Sequence, residues 1–303
     1  MRPIIHVGYP KTATTWFQHA FFPNVTNGVF FGRNTVKENI ILPNAFTFNA
    51  DKARKEFESS LRPLICEEML IGGIETGWYN GVFAKELANR LKNIFNDAEI
   101  VIFVRNQPEM ITSIYAQYVK AGGTLSVKRF FNRSDSYNLH NEIILFSYDS
   151  LKYSGLVEYY LQLFGRDRVK VFAFEEFREN PKLFTQEFAD RYNLEIDFNQ
   201  INYGSVNLMY GRNILLLARL ANSFTRSAVV QKRYFFHIPK LYHFARHYLE
   251  QLNQFRIIKG YVNHKRILGK KTYEFVKEYY REDNQKLSEF IGKDKLHSYN
   301  YPH

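Results

Sequence analysis

His6-Val7-Gly8-Tyr9-Pro10-Lys11-Thr12-Ala13-Thr14-Thr15-Trp16 follows directly on an apolar N-terminal run, and its reading decides the fold. Ile4 to Val7 reads as a short strand that breaks into a tight turn and opens a helix near Thr14. Backbone N–H groups at such a turn and in the first helical turn lack internal partners, and the positive end of the helix dipole lies beside them. The product is an anion pocket, furnished here with Lys11 and the hydroxyls of Thr12, Thr14 and Thr15. The loop departs from the nucleotide-triphosphatase pattern G-x-x-x-x-G-K-[ST]. With Gly8 at the first glycine, Ala13 stands at the second and Thr14 at the lysine. Lys11 lies three residues earlier, so it meets the anion from another side, and the missing Gly-Lys pair argues against ATP or GTP hydrolysis.

A second strand-to-helix junction follows some ninety residues on. Ala98-Glu99-Ile100-Val101-Ile102-Phe103-Val104 has the continuous apolar, β-branched character of a buried parallel strand. Arg105 stands at its carboxyl end, where ligands gather in open α/β sheets. Pro108 suits a first helical turn, and Met110, Ile111, Ile114, Tyr115 and Tyr118 form a helical apolar stripe. Ser113 projects from that helix, eight residues after Arg105. Together, the Y-P-K-T-A-T-T-W loop and the Arg-x7-Ser pair resemble the sulfotransferases that use 3′-phosphoadenosine 5′-phosphosulfate (PAPS). The resemblance implies that Lys11, Thr12, Ala13, Thr14, Thr15 and Trp16 hold the 5′-phosphosulfate and that Arg105 and Ser113 hold the 3′-phosphate. An arginine fork suits a phosphate better than a lysine does. The implied reaction is in-line transfer of a sulfuryl group from PAPS, as co-substrate, to an acceptor hydroxyl, with no metal expected.

The rest of the chain reads as strands alternating with helices. Leu64 to Leu70 looks like a strand ending in acids, followed by the turn Gly72-Gly73; it resembles a family strand ending in a Ser-Ser-Glu-like segment, with Cys66 and Glu67 in place of the serines. Phe83 to Phe95 and Leu156 to Phe164 read as helices, the latter stopped by Gly165. Val169 to Phe174 returns as a strand, and Asn180 caps a helix that begins at Pro181 and turns Phe184, Phe188 and Tyr192 inward. Asn284, Leu287, Phe290 and Tyr301 complete a helix and tail that also resemble the family. The expected fold is three-layer α/β and P-loop-like, with a mainly parallel central sheet flanked by helices and a basic C-terminal helical lobe. Lacking any linker, repeat or low-complexity tract, residues 1–303 read as one domain, with 1–203 as its α/β core and 204–303 as the lobe.

Charge is divided unevenly between these parts. Residues 1–203 hold 23 Lys and Arg against 23 Asp and Glu, so the net +11 belongs wholly to residues 204–303. Within 204–271 there are 13 basic residues and one acid, Glu250, interleaved with aromatics such as Tyr234-Phe235-Phe236 and Phe244. Such a lobe is either a solvated helical face or an electropositive wall that meets an anionic acceptor or a membrane surface. Family members complete the 3′-phosphate site from a late basic segment, for which Arg212, Lys270 and Lys271 are the candidates. A single cysteine, Cys66, excludes an internal disulfide. With the first strand close to Met1 and no apolar run of membrane-spanning length, the expected location is cytoplasmic, with peripheral membrane contact through 204–271.

Sulfuryl transfer to an alcohol needs a base. Glu68 matches the family's glutamate after the strand and is the leading candidate. Glu67 points to the opposite face if the strand pleat persists, and His140 is the main rival. His6, inside the first strand, reads as a core residue and His19 as packing or surface. No Cys/His ligand cluster, H-E-x-x-H, EF-hand or G-x-S-x-G pattern occurs. The acceptor expected is a carbohydrate or lipid-linked glycan, and no nucleic acid is expected as partner. An atypical P-loop kinase and a non-catalytic protein that binds anions or membrane surfaces are the alternatives.

Overall fold

In a computed structural model, β1 (Ile4–His6) is the middle strand of a five-stranded, wholly parallel sheet of order β2-β3-β1-β4-β5. Residues 1–73, 80–131, 145–204, 209–226, 232 and 234–303 are described. The other strands are β2 (Gly28–Phe31), β3 (Arg62–Cys66), β4 (Glu99–Val104) and β5 (Val169–Ala173). Ile4, Ile5 and His6 pair with Leu64, Ile65 and Cys66 on one side, and with Glu99, Ile100 and Val101 on the other. The chain leaves β1 toward β2 and leaves β4 toward β5, in opposite directions. The gap above β1 and β4 is therefore the switch point of the sheet, where ligands bind in open α/β folds.

The period-2 pleat sorts the strand residues between two apolar layers. Ile5, Val7, Ile65, Ile100, Ile102 and Val104 face a layer built by the helices Ala84–Ile94, Gln107–Lys120, Tyr153–Phe164 and Arg281–Ile291. Ile4, Leu64, Cys66, Val101 and Phe103 face an aromatic layer drawn from Trp16, Phe17, Phe21, Phe22 and the helix Pro181–Tyr192. Many rings there meet edge-on or tilted, such as Phe17 with Phe21 at 5.4 Å and Phe188 with Tyr192 at 4.8 Å, and others stack, such as Phe22 on Phe30. Pairs of this kind contribute ~0.5–1.5 kcal/mol each beyond their burial. The sheet with helices on both faces is the three-layer α/β arrangement expected.

Two strand readings need correction. Gly28–Phe31 forms β2 although no strand was expected there; its four residues are too few for periodicity to declare, and pairing with β3 makes the strand. The acid-ended segment is shorter than expected: β3 stops at Cys66, and Glu68–Ile71 is a 3-10 turn capped by Glu67, whose carboxylate accepts from the Met69 N–H at 3.1 Å. Elsewhere the expected punctuation is in place, with the Asn180 side chain accepting from the Leu183 N–H at 3.1 Å and Gly165 ending its helix at φ +85°. Among the described residues no helix is long and apolar enough to cross a membrane.

His6 is fully buried between the rings of Phe17 (5.5 Å) and Phe103 (4.7 Å), with the Cys66 sulfur 3.4 Å from Nδ1. Burial holds its imidazole down to about 3, against an ordinary value of 6.5. Between those values the unfolded chain binds the proton and the folded chain does not, so stability falls as pH falls through that window. The His6 share is up to about 1.4 kcal/mol per pH unit. Denaturant titrations of the parent and His6→Gln from neutral to acid pH should show a shallower slope for the variant; equal slopes would refute a buried, neutral imidazole.

Candidate functional site

The loop after β1 has a backbone that ordinary side chains adopt reluctantly. Gly8 takes φ +110°, and a Cβ there would sit 3.2 Å from Glu68 Cα, so the loop runs directly against the turn after β3. Lys11 and Ala13 are left-handed, at φ 62° and 67°, which costs ~1 kcal/mol or more for each. Thr12 is buried, and its hydroxyl donates to the Tyr9 carbonyl inside the loop. Tyr9 N donates to the Phe103 carbonyl at 2.8 Å and Phe103 N to the Gly8 carbonyl at 2.8 Å, so the ladder with β4 continues into the loop. The first helical turn, Thr14–Trp16, has no side-chain cap. Thr14 is buried, Thr15 is half-buried, and Trp16 Nε1 donates to the Asn202 carbonyl at 2.9 Å while its ring stacks on Tyr203.

Across the switch point, Arg105 Nη1 donates to the Lys11 carbonyl at 3.1 Å, and Nη2 to Glu109 at 3.1 Å. Its guanidinium lies 4.9 Å over the Phe174 ring, and Nε is buried without a hydrogen-bond partner. Ser113 is buried two helical turns along the same helix, and Gln117, one turn further, accepts from Lys11 Nζ at 3.0 Å. Lys11, Arg105 and Ser113 are thus brought to one rim. The site has an orphaned guanidinium N–H and a lysine beside a left-handed loop, donors that suit an anionic group.

A charged support lies beneath Arg105. Glu109 also receives Arg178, and His264 Nε2 approaches it to 3.9 Å. Burial pushes the Glu109 carboxyl up, but Arg105 and Arg178 outweigh it and hold it below the usual range. Burial, with the same arginines, lowers His264 despite Glu109. The turn itself is braced from the far end of the chain: Asn106 donates to the carbonyls of Tyr299 and Asn300, and buried Glu175 accepts both the Asn106 N–H and the Tyr301 hydroxyl at 3.0 Å. Asn284 exchanges two hydrogen bonds with Gln107, at 2.7 and 3.1 Å.

The two glutamates do not diverge as a continued pleat would demand. Arg33 reaches both, pairing with Glu67 at 2.8 Å and also with Glu68, because the strand has already given way to the 3-10 turn. Glu67 is fully buried; burial and its neighbour Glu68 raise its pKa, and Arg33 opposes them. Glu68 keeps a partly exposed side chain and also accepts from Gln18 Nε2 at 3.0 Å. Of the two, only Glu68 offers an oxygen toward solvent.

The other candidates are dispersed. Arg212, Lys270 and Lys271 are exposed at the starts of Arg212–Asn222 and Lys270–Tyr279, and both of these helices pack on Gln107–Lys120, as does His264–Leu268. His19 is exposed, and His140 lies outside the described residues. Sequence reasoning missed Arg33, Gln117, Glu109 and His264. Of these, only Glu109 left a local signal, its position four residues after Arg105 in the first turn of the helix that follows β4.

Comparison with protein-family models finds no match, and comparison with curated proteins finds none either. Among solved structures, the chain is similar to a sulfotransferase from Alicyclobacillus acidocaldarius, with 18% identity and a TM-score of 0.49 over 69% of this chain and 87% of that one.

Arg33→Gln should leave Glu67 buried beside Glu68 without a counter-charge. Loss of one partner of a buried pair costs ~3–5 kcal/mol; the half-exposed Arg33 side chain brings the expected loss to ~1–3 kcal/mol. The deficit should be largest above the Glu67 pKa and shrink as acid protonates that carboxyl. A Tm difference from the parent that stays constant from neutral to acid pH would contradict the pairing.

Proposed function

We propose that this chain transfers a sulfuryl group from PAPS to an acceptor hydroxyl. One observation carries the reading: the Arg105 guanidinium donates at 3.1 Å to the carbonyl of Lys11, joining the Y-P-K-T-A-T-T-W loop to the Arg-x7-Ser pair at one rim. A nucleotide phosphorylated at both its 5′ and 3′ positions is the ligand that makes use of both. The loop of Lys11 to Trp16 receives the 5′-phosphosulfate, and Arg105 with Ser113 receives the 3′-phosphate.

PAPS, when bound, supplies an activated sulfur whose bridging oxygen leaves as part of adenosine 3′,5′-bisphosphate. The acceptor oxygen forms its bond to sulfur as the bond from sulfur to the bridging oxygen breaks. Lys11 stabilises the charge growing on that bridging oxygen, for which its ammonium turns from Gln117. Glu68 takes the acceptor proton, supported by its place against Gly8 and its partial exposure. A carbohydrate or lipid-linked glycan is the acceptor class we favour, since the basic, aromatic lobe suits an anionic sugar.

Titration calorimetry with adenosine 3′,5′-bisphosphate should show saturable binding, weakened by ~1.5–3 kcal/mol in Arg105→Ala, the scale of a hydrogen bond to a charged group. Unchanged affinity, or stabilisation by magnesium ATP in its place, would favour the kinase reading. With labelled PAPS and a glycan acceptor panel, Lys11→Ala should lower turnover by ~10²–10³ while the nucleotide still binds. Near-parental turnover would remove Lys11 from the mechanism.

A further inference from the structure

The helix Arg212–Asn222 is amphipathic in an unusual sense: its inner face is apolar, and much of its outer face is apolar as well. Ile214, Leu215 and Ala218 are buried, whereas Leu216, Leu217 and Leu220 stand about half exposed. The exposed apolar face does not end with the helix. At its N-terminal end, Arg212 N donates to the Tyr261 carbonyl at 3.4 Å and Gly260 abuts the Asn213 side chain, which places Ile257 (93% exposed) and Tyr261 (71%) beside that end. At its C-terminal end, Phe235 N donates to the Ser223 carbonyl at 2.8 Å and Ile238 N to the Phe224 carbonyl at 2.9 Å, which places Phe235 (79% exposed) and Phe236 there. The exposed leucines lie on one face over Leu216–Leu220, ~6 Å of helix, with Arg212 and Asn213 exposed in the first turn, and the loops at the two helix ends each present aromatic and aliphatic side chains. Contiguous exposed apolar surface on this scale marks an interaction site.

Charge chooses the occupant. Arg226 and Lys240 are exposed beside the Phe235 end, and across 204–271 the only acid, Glu250, is occupied by Lys120 at 2.9 Å and Arg246 at 3.2 Å. A second copy of the chain would bring this uncompensated positive face against itself in a two-fold contact. An anionic bilayer surface meets both properties: headgroups neutralise the cations while leucine and aromatic side chains enter the boundary with the acyl chains. We infer that the ridge Leu216–Leu220, with the Phe235 and Ile257 loops at its ends, docks the protein peripherally on an anionic lipid surface. This surface is separate from the residues of the anion site, so the inference stands whether or not the transferase reading does.

Vesicle flotation of the full chain tests it, using phosphatidylcholine alone and phosphatidylcholine mixed with phosphatidylglycerol. Binding is expected on the mixed vesicles, at least tenfold weaker on the neutral ones, and to fall steeply between low and high salt. Leu217→Ser with Leu220→Ser should weaken binding to mixed vesicles about tenfold or more, and Arg226→Glu with Lys240→Glu by a comparable factor. All four positions are surface-exposed or half-exposed, and an unchanged Tm verifies that each variant folds. Absence of binding to mixed vesicles overturns the inference. So does binding that the leucine variant leaves intact, which would be adsorption by charge alone. A dimer in sedimentation that the leucine variant dissociates, without vesicle binding, would assign the ridge to a second copy.

Discussion

A single guanidinium contact organises the candidate site. Arg105 stands at the carboxyl end of β4 and Lys11 in the loop after β1, strands that are neighbours in the sheet and far apart in sequence. Because Arg105 spends one nitrogen on the Lys11 carbonyl and another on Glu109, its plane is fixed before any ligand arrives. The left-handed Lys11 is the residue whose carbonyl takes that bond, and the contact opposes its relaxation out of a region that non-glycine residues leave readily. Preorganisation of this kind lowers the ordering cost that anion binding would otherwise meet.

Much of this was legible from local pattern. The buried strand 99–104, the loop from Gly8 to Trp16 and the capped helix at Pro181 each carry their signal within a few residues. What local pattern did not disclose depends on partners distant in sequence. Gly28–Phe31 is a strand because Arg62–Leu64 and Ile65 pair with it, and nothing within its four residues says so. Arg33 follows it as an unremarkable surface residue until the fold sets it against Glu67 and Glu68. The divergence expected of those glutamates failed for a local reason: a pleat argument holds only while the strand lasts, and this one ends a residue earlier.

The sheet separates two kinds of interior. On the side of the Gln107–Lys120 helix, the core mixes aliphatic residues with tyrosines, several of whose hydroxyls donate to carbonyls, as those of Tyr153 to Arg105 at 2.7 Å and Tyr280 to Tyr148 at 2.8 Å. On the other side, phenylalanines dominate, and the one imidazole among them is held neutral by its surroundings. Polar order is concentrated where it positions the Arg105 turn, and the opposite layer supplies apolar burial beneath β1. The apolar ridge of the late lobe belongs to neither interior.

The bracing of Asn106 by the carbonyls of Tyr299 and Asn300 spans 193 and 194 residues of chain. Contacts of such separation close the largest loops and tend to form late in folding. During synthesis the Gly8 loop and the Arg105 strand leave the ribosome long before the segment that secures the turn between strand and helix. A nascent chain therefore carries the residues of the candidate site well before Tyr299 and Asn300 emerge to brace the turn that positions them.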